Sequence, residues 1–469
     1  CSLHGETPFV HPWKADHRSG QEGQRGSGTS VTTVGTTETN VADGFTVVAV
    51  GDLIVTRPLT RGHHPRFGNI VEILREADVT FGNMETNIFN ARSFSGSPQA
   101  EHGGAYHGSV PELGPDLKAM GFNLVSYANN HTFEWGAEGM RETCRALDQN
   151  GIVYAGVGEN LSQASAARFL ETPRGRVALV SYASTFTPMS RACDPAGEAS
   201  GRPGLNALRL RRDITVSQTM LDNLRQVREA LPDYRPGHGD PEIVALAGAR
   251  FRVGDQVGFS YRPDPKDVAR ILRGVRQGKQ LADFCIVTNH GHEPGNWSQR
   301  SPDYVQDLAR KMIDTGADAY IVHGPHQLRG IEIYKGRPIF YSLGNFIMDD
   351  LRTPVGADMY DGYDLDPRVS TDPDVTVSEM SKGYESDPGF SEPVFYESVV
   401  AVSRFQQNQL FELRLHAIEL GHSKRFANRG VPSFASGNRA RAILERLKKL
   451  SESLGTEVAI ENEIGIIRV

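Results

Sequence analysis

No run of about 18 apolar residues occurs anywhere in this chain of 469 residues, so no membrane-spanning helix is expected. Basic residues are not gathered into a block either. Lys and Arg total 50 against 57 Asp and Glu, a formal charge of −7, and a short group such as Arg209 to Arg212 reads as a solvated helix start. That excludes the basic stripe a phosphate backbone requires, and with it a nucleic-acid partner. Cysteine is scarce: Cys1, Cys144, Cys193 and Cys285 are far apart and form no Cys-x-x-Cys pair. Neither a thiolate zinc site nor a disulfide framework fits that spacing. Cys144 and Cys285 lie in apolar-periodic segments and read as core thiols. No charged-then-apolar leader opens the chain. The expected location is the cytoplasm, or an extracellular or lipid-anchored one if Cys1 is a processed N-terminus. Internal repeats are absent as well.

What is present is a layered pattern. Residues 1–44 are rich in Gly, Ser, Thr and His without a hydrophobic period, the composition of a mobile arm. From residue 45 onward short apolar runs at 45–50, 78–81, 122–127, 177–182, 284–288 and 319–322 read as strands. Helical periods at 66–77, 111–120, 136–149 and 302–315 separate them, as in an α/β fold. Two stretches interrupt the rhythm. Residues 185–262 hold a helix and a loop with Pro232, Pro236 and Pro241, and 353–397 are acidic with scattered aromatics. Loops this long next to candidate ligands read as a lid or a substrate-selecting wall. The expected division is an arm over 1–44, one domain over 45–425 carrying both insertions, and a C-terminal helix and tail over 426–469 packed on it.

Open α/β sheets bind ligands at the carboxyl ends of their strands. Five strand ends here carry oxygen or imidazole donors. Gly51-Asp52 offers a carboxylate after a turn, and Gly82-Asn83-Met84-Glu85 offers another that can bind or bridge a cation. Asn129-Asn130-His131 sets an amide oxygen beside an acid/base group. His290-Gly291-His292-Glu293 and His323-Gly324-Pro325-His326 add two pairs of imidazoles. Each motif alone also occurs as an ordinary turn. Together, in a chain without a cysteine site, they point to a divalent metal ion such as Ca, Mg, Mn or Zn.

In this order Gly-Asp, Gly-Asn-x-Glu, Ala-Asn-Asn-His, His-x-His-Glu, His-Gly-Pro-His and Ile-Phe-Tyr-Ser-Leu-Gly-Asn-Phe resemble the CapA family. That family is the poly-γ-glutamate capsule synthesis group of the calcineurin-like metallophosphatase superfamily. The likeness runs over about residues 46 to 420. It implies an α/β fold, a calcineurin-like four-layer α/β/β/α sandwich with inserted loops and a metal at the sheets' carboxyl edge. By motif it implies Asp52, Glu85, Asn130, His290 and His323 or His326 as ligands, with His131 as the acid/base histidine. Whether His290 or His292 binds the ion is left open. Phosphatases of the superfamily open with Asp-x-His, whereas Asp52 is followed by Leu53-Ile54. One imidazole is therefore missing, and a single Ca- or Mg-like ion becomes the expectation.

Some CapA-like proteins encoded with ribosomal peptide pathways resemble this chain and act as peptide epimerases, as in lasso peptide maturation. The resemblance thus implies first a metal-dependent peptide epimerase, with His131 and His292 as acid and base and Asp52 orienting them. The alternatives are hydrolysis of phosphoester or γ-glutamyl bonds and an accessory role in poly-γ-glutamate capsule synthesis. The expected partner is a peptide or poly-glutamate-type substrate.

Overall fold

Alternate residues of the strand Phe45–Val55 enter two different cores: Val47 and Ala49 join one, Val48 and Val50 another. The same split recurs at Gly175–Ala183, Phe284–His290 and Ala319–His323. There Leu179, Ile286 and Ile321 join the first core, and Val180, Val287 and Tyr320 a third. Strands that are apolar on both faces must be covered on both faces. The computed structural model, which describes residues 39–61, 65–99, 106–237, 240–349, 355–382, 390–425 and 428–469, shows how.

Two sheets meet through a shared core that includes Val47, Phe81, Leu124, Leu179 and Ile286. Helices Pro65–Glu76, Leu113–Met120 and Gly136–Gln149 cover the outer face of the first sheet through Ile70, Leu74, Leu117, Met140 and Leu147. Helices Pro265–Gln280 and Asp303–Thr315 cover the second through Ile271, Val275, Leu308 and Met312. The layers are therefore α/β/β/α, as the resemblance implied. Each large apolar side chain buried in the shared core stabilises by roughly 1.5–3 kcal/mol. That core fixes the two sheet edges against each other.

In the ten-stranded first sheet, Phe45–Val55 runs antiparallel to Glu397–Gln406 and parallel to Val79–Met84, which pairs in turn with Leu124–Ser126. In the six-stranded second sheet, Phe284–His290 lies between Gly175–Ala183 and Ala319–His323, parallel to both. Register then aligns the chemistry. Asp52 pairs with Asn83 and Asn345, Asn83 with Ser126, and His290 with His323. Gly51 makes the first of these possible, because a Cβ there would collide with the Gly344 carbonyl oxygen.

The structure departs from the sequence reading in the insertions. Residues 185–262 hold more than a helix and a loop: Ile243–Leu246, Ala249–Val253, Leu210–Val216 and Gly258–Pro263 form a separate four-stranded sheet beside helix Gln218–Ala230. Its core is small, with Val216, Leu221 and Val244 buried, so arginines and turn residues mask the strand alternation. The basic group beginning at Arg209 is not a helix start, because Leu210 to Arg212 open a strand. Residues 353–397, read as a loop, contain helices Ala357–Gly362 and Asp372–Lys382, and Met359, Tyr360 and Val375 pack with Phe89 and Trp135. At the C-terminus, helix Gly437–Glu452 is followed by strands Ala459–Glu461 and Ile464–Arg468, which extend the first sheet through Gln409–Glu419. The arm read at 1–44 lies outside the described residues up to Glu38, and Thr39–Val469 form one compact unit. Cys144, Cys193 and Cys285 are free thiols, Cys285 buried and Cys144 partly so. Among the described residues no helix is long and apolar enough to cross a membrane.

Candidate metal centre

Asp52, Asn83 and Glu85 stand at the ends of two adjacent parallel strands and are fully buried. The Asn83 amide nitrogen donates to Asp52 Oδ1 at 2.9 Å and to Glu85 Oε2 at 3.2 Å, so it clamps the two carboxylates together. The same nitrogen lies 3.1 Å from His290 Nδ1. Asn129 supports the clamp by donating to Asn83 Oδ1 at 3.3 Å and to the Met84 carbonyl at 2.7 Å.

The second sheet brings imidazoles to the same point. His290 Nε2 is 3.4 Å from Glu85 Oε1 and 3.0 Å from His292 Nε2. His292 Nδ1 lies 2.7 Å from Asn296 Oδ1, which fixes the proton on Nδ1 and turns Nε2 inward, 3.3 Å from Asn130 Oδ1. His326 Nδ1 is 3.5 Å from Asp52 Oδ2 and 2.8 Å from Asn345 Oδ1. His326 has φ +57°, a left-handed conformation costing a non-glycine residue about 1–3 kcal/mol. Asn345 offsets part of that cost by donating to the His326 carbonyl at 3.3 Å.

Two sets of donor atoms, each within 4.8 Å of one another, result: Asp52, Glu85 and His326, and Glu85, His290 and His292. Glu85 belongs to both. Its Oε1 is buried without a hydrogen-bond partner. Burial, and then the charge of Asp52, hold the Glu85 carboxyl well above its ordinary value of 4.5. Crowded buried carboxylates with an orphaned oxygen call for positive charge, and the residues fit a divalent cation.

A third set, His107, His131 and Glu134, is closed by its own hydrogen bonds. His131 Nδ1 is 2.6 Å from Glu134 Oε1, and the His107 backbone N–H donates to Glu134 Oε2 at 2.8 Å. His107 Nδ1 lies 3.1 Å from the Glu85 carbonyl, and its ring stacks on His131 at 3.9 Å. Burial pushes His107 down to about 4, so it is neutral near pH 7. His131 Nε2 is left facing Glu85 Oε1 at 3.8 Å.

Of the residues singled out in the sequence, Asp52, Glu85, Asn130, His131, His290, His292 and His326 come together. His323 does not. Its Nε2 donates to the Val50 carbonyl at 3.0 Å and its Nδ1 lies 3.3 Å from Thr288 Oγ1, so both ring nitrogens are used in tying the sheets together. The sequence reading overlooked the Asn83 clamp, His107 and Glu134. Glu134 follows His131 by three residues, a spacing that could have flagged it, whereas nothing around His107 marks it.

A two-sheet α/β sandwich with carboxylate and imidazole donors at its carboxyl edge defines a metallophosphatase-like protein. Residues 46–350 match the family described as bacterial capsule synthesis protein PGA_cap, and the chain belongs to that family, the CapA family. The uncharacterized protein y4sH of Sinorhizobium fredii is 64% identical over 460 residues, covering 97% of this chain and 100% of that protein. The capsule biosynthesis protein CapA of Bacillus anthracis is 24% identical over 312 residues, 65% of this chain and 60% of its own. A probable polyglutamine synthesis accessory protein of Mycobacterium tuberculosis is 26% identical over 273 residues, 58% and 56% of the two chains.

Proposed function

We propose that this chain is a metal-dependent hydrolase of amide linkages in a poly-glutamate-type polymer. The observation that carries the reading is Glu85, shared by two donor sets with an orphaned buried oxygen. Asp52 and His326 would hold one divalent ion, and His290, His292 and Asn130 a second, with Glu85 between them. The sequence led to a single-ion expectation because the Asp-x-His imidazole is absent. His326, from the opposite sheet, brings an imidazole beside Asp52 instead, and with its Nδ1–H held by Asn345 Oδ1, Nε2 is the nitrogen that would ligate. Imidazole in both sets favours Mn or Zn over Ca or Mg, which prefer oxygen. Such ions, when bound, polarise a scissile carbonyl and lower the pKa of water.

The chain's own contribution is proton transfer and positioning. Glu134 holds His131 Nδ1–H, which leaves Nε2 aimed at the centre to take a proton from the attacking water and pass it to the leaving amine. A positioned acid of this kind is worth roughly 10²–10⁴ in rate. Asn129 Oδ1 accepts from the His131 backbone N–H at 3.1 Å and keeps the loop in register. Inverting an α-carbon, the reading the resemblance put first, needs a second proton-transfer group across the carbon. His292 stands in a donor set with Glu85 and His290, which leaves one such histidine and favours hydrolysis. The relatives' names, capsule biosynthesis and polyglutamine synthesis, favour an amide over a phosphoester.

The test is incubation of the Mn- or Zn-loaded chain with poly-γ-glutamate while new amino groups and polymer length are followed. Shortening that stops with a chelator and returns with metal is expected. An intact polymer that exchanges α-hydrogen in D₂O would establish an epimerase instead, and an intact, unexchanged one an accessory binding protein.

A further inference from the structure

Beside His292 the protein carries a cleft of about 430 Å³, within the range of small-ligand sites. Ser184, Thr185 and His292 line it on one side, and Arg209, Arg212 and Tyr261 from the inserted region on the other. Strand alternation decides which arginines matter. On Leu210–Val216, Leu210 and Arg212 line the cleft, so Arg211 and Asp213 belong to the opposite face. On that face Asp213 pairs with Arg250 at 2.9 Å, with Arg252 at 3.6 Å and with Arg262. Arg209 is likewise paired, with Asp267 at 2.7 Å and Asp264 at 3.1 Å.

Arg212 differs from these paired arginines. Among the described residues no carboxylate pairs with it, and its guanidinium carbon lies 5.2 Å from the centroid of the Phe259 ring. Stacking on an aromatic leaves a guanidinium edge that reaches Tyr261 in the same cleft wall and can also take a planar anion. Glu293, the carboxylate on the cleft wall, does not compete for it. The Glu293 oxygens accept from Ser184 Oγ at 2.9 Å, Thr185 Oγ1 at 3.0 Å and the Tyr304 hydroxyl at 3.3 Å.

We propose that Arg212 is the specificity-determining cation of an acidic subsite, binding the free α-carboxylate of a glutamyl unit next to the linkage held at the centre. The subsite rests on the hydrolase reading above for its substrate. A carboxylate gripped by a guanidinium at a cleft wall explains why an inserted sheet is present beside His292, and it selects an acidic chain over a neutral one.

The experiment is calorimetric binding of a γ-linked glutamate pentamer, and of its α-carboxamide analogue, to the full chain. Wild type, Arg212→Gln and Arg211→Gln are compared with metal content measured in each. Arg212→Gln is expected to weaken pentamer binding about tenfold, with metal content unchanged and Arg211→Gln like wild type. Wild type is expected to favour the pentamer over the carboxamide, and Arg212→Gln to lose that preference. Equal pentamer affinity in wild type and Arg212→Gln overturns the subsite while leaving the hydrolase reading intact. Wild type that ignores the pentamer overturns both. Equal loss in the Arg211 and Arg212 variants reduces the effect to general surface charge and overturns the subsite.

Discussion

The two sheets that meet at the centre contribute unlike donors. Strand ends of the first sheet supply oxygen, from Asp52, Glu85 and Asn130, while those of the second supply nitrogen, from His290, His292 and His326. Carboxylates carry the charge that a divalent ion needs, and neutral imidazoles add affinity without adding charge. The division also explains why the centre depends on the inter-sheet core, since no single sheet holds a complete set. Glu85 is where the two contributions join, so it offers the sharpest way to break the comparison. Glu85→Gln is expected to weaken metal binding by about 100-fold or more, beyond what loss of a supporting residue costs. It should at the same time raise the Tm of the metal-free chain, because a carboxyl whose anion burial and Asp52 disfavour is replaced by a neutral amide. Metal titration and thermal unfolding with chelator read the two effects. Unchanged stoichiometry, or a lower apo Tm, would sink the shared-ligand assignment.

His131 tests the other side of the division, a histidine from the first sheet that does not belong to the ligand sets of Glu85. His131→Ala is expected to keep full metal content while polymer cleavage falls by about 10²–10⁴. Glu134→Gln should give a smaller loss of the same kind, as a positioning residue, with KM little changed. A His131 variant that loses its metal would move this histidine into the ligand set and erase the contrast between the sheets.

How much of this could be read from the sequence depends on what each feature requires. Strands apolar on both faces, such as Val47 to Val50 and Cys285 to Val287, announce a layered fold because their pattern is local. The donors at Asp52, Glu85, His290 and His292 are equally local, each sitting directly at a strand end. The choice between His323 and His326 is not. It rests on a positive φ at His326 and on Asn345, nineteen positions downstream, neither of which a three-residue spacing encodes. His107 was invisible for the same reason, since its role comes from stacking on His131 across 24 positions. The inserted sheet escaped because its strands hold so little apolar surface that charge pairs replace the usual alternation.

Those charge pairs supply the last and smallest test, which sets the inserted sheet beside the two main ones. At the candidate centre Asp52 and Glu85 form ion pairs only with histidines among the described residues, whereas Asp213 has Arg262 and Arg250. Burial pushes the Asp213 carboxyl up, but hydrogen bonds from those two arginines outweigh it and hold it below its ordinary 3.8. A depressed carboxylate stabilises the fold above its unfolded value, and that contribution is lost as pH falls through the lower folded one. Asp213→Asn is therefore expected to lower Tm by a few degrees at pH 7, with the gap to wild type closing below about pH 4. Metal content should not change, because the pair lies on the face of the strand away from the cleft. A gap that persists undiminished in acid would mean that Asp213 acts through shape rather than charge. The insertion's arginines would then be held by packing, and Arg212 would lose its contrast with those held by carboxylates.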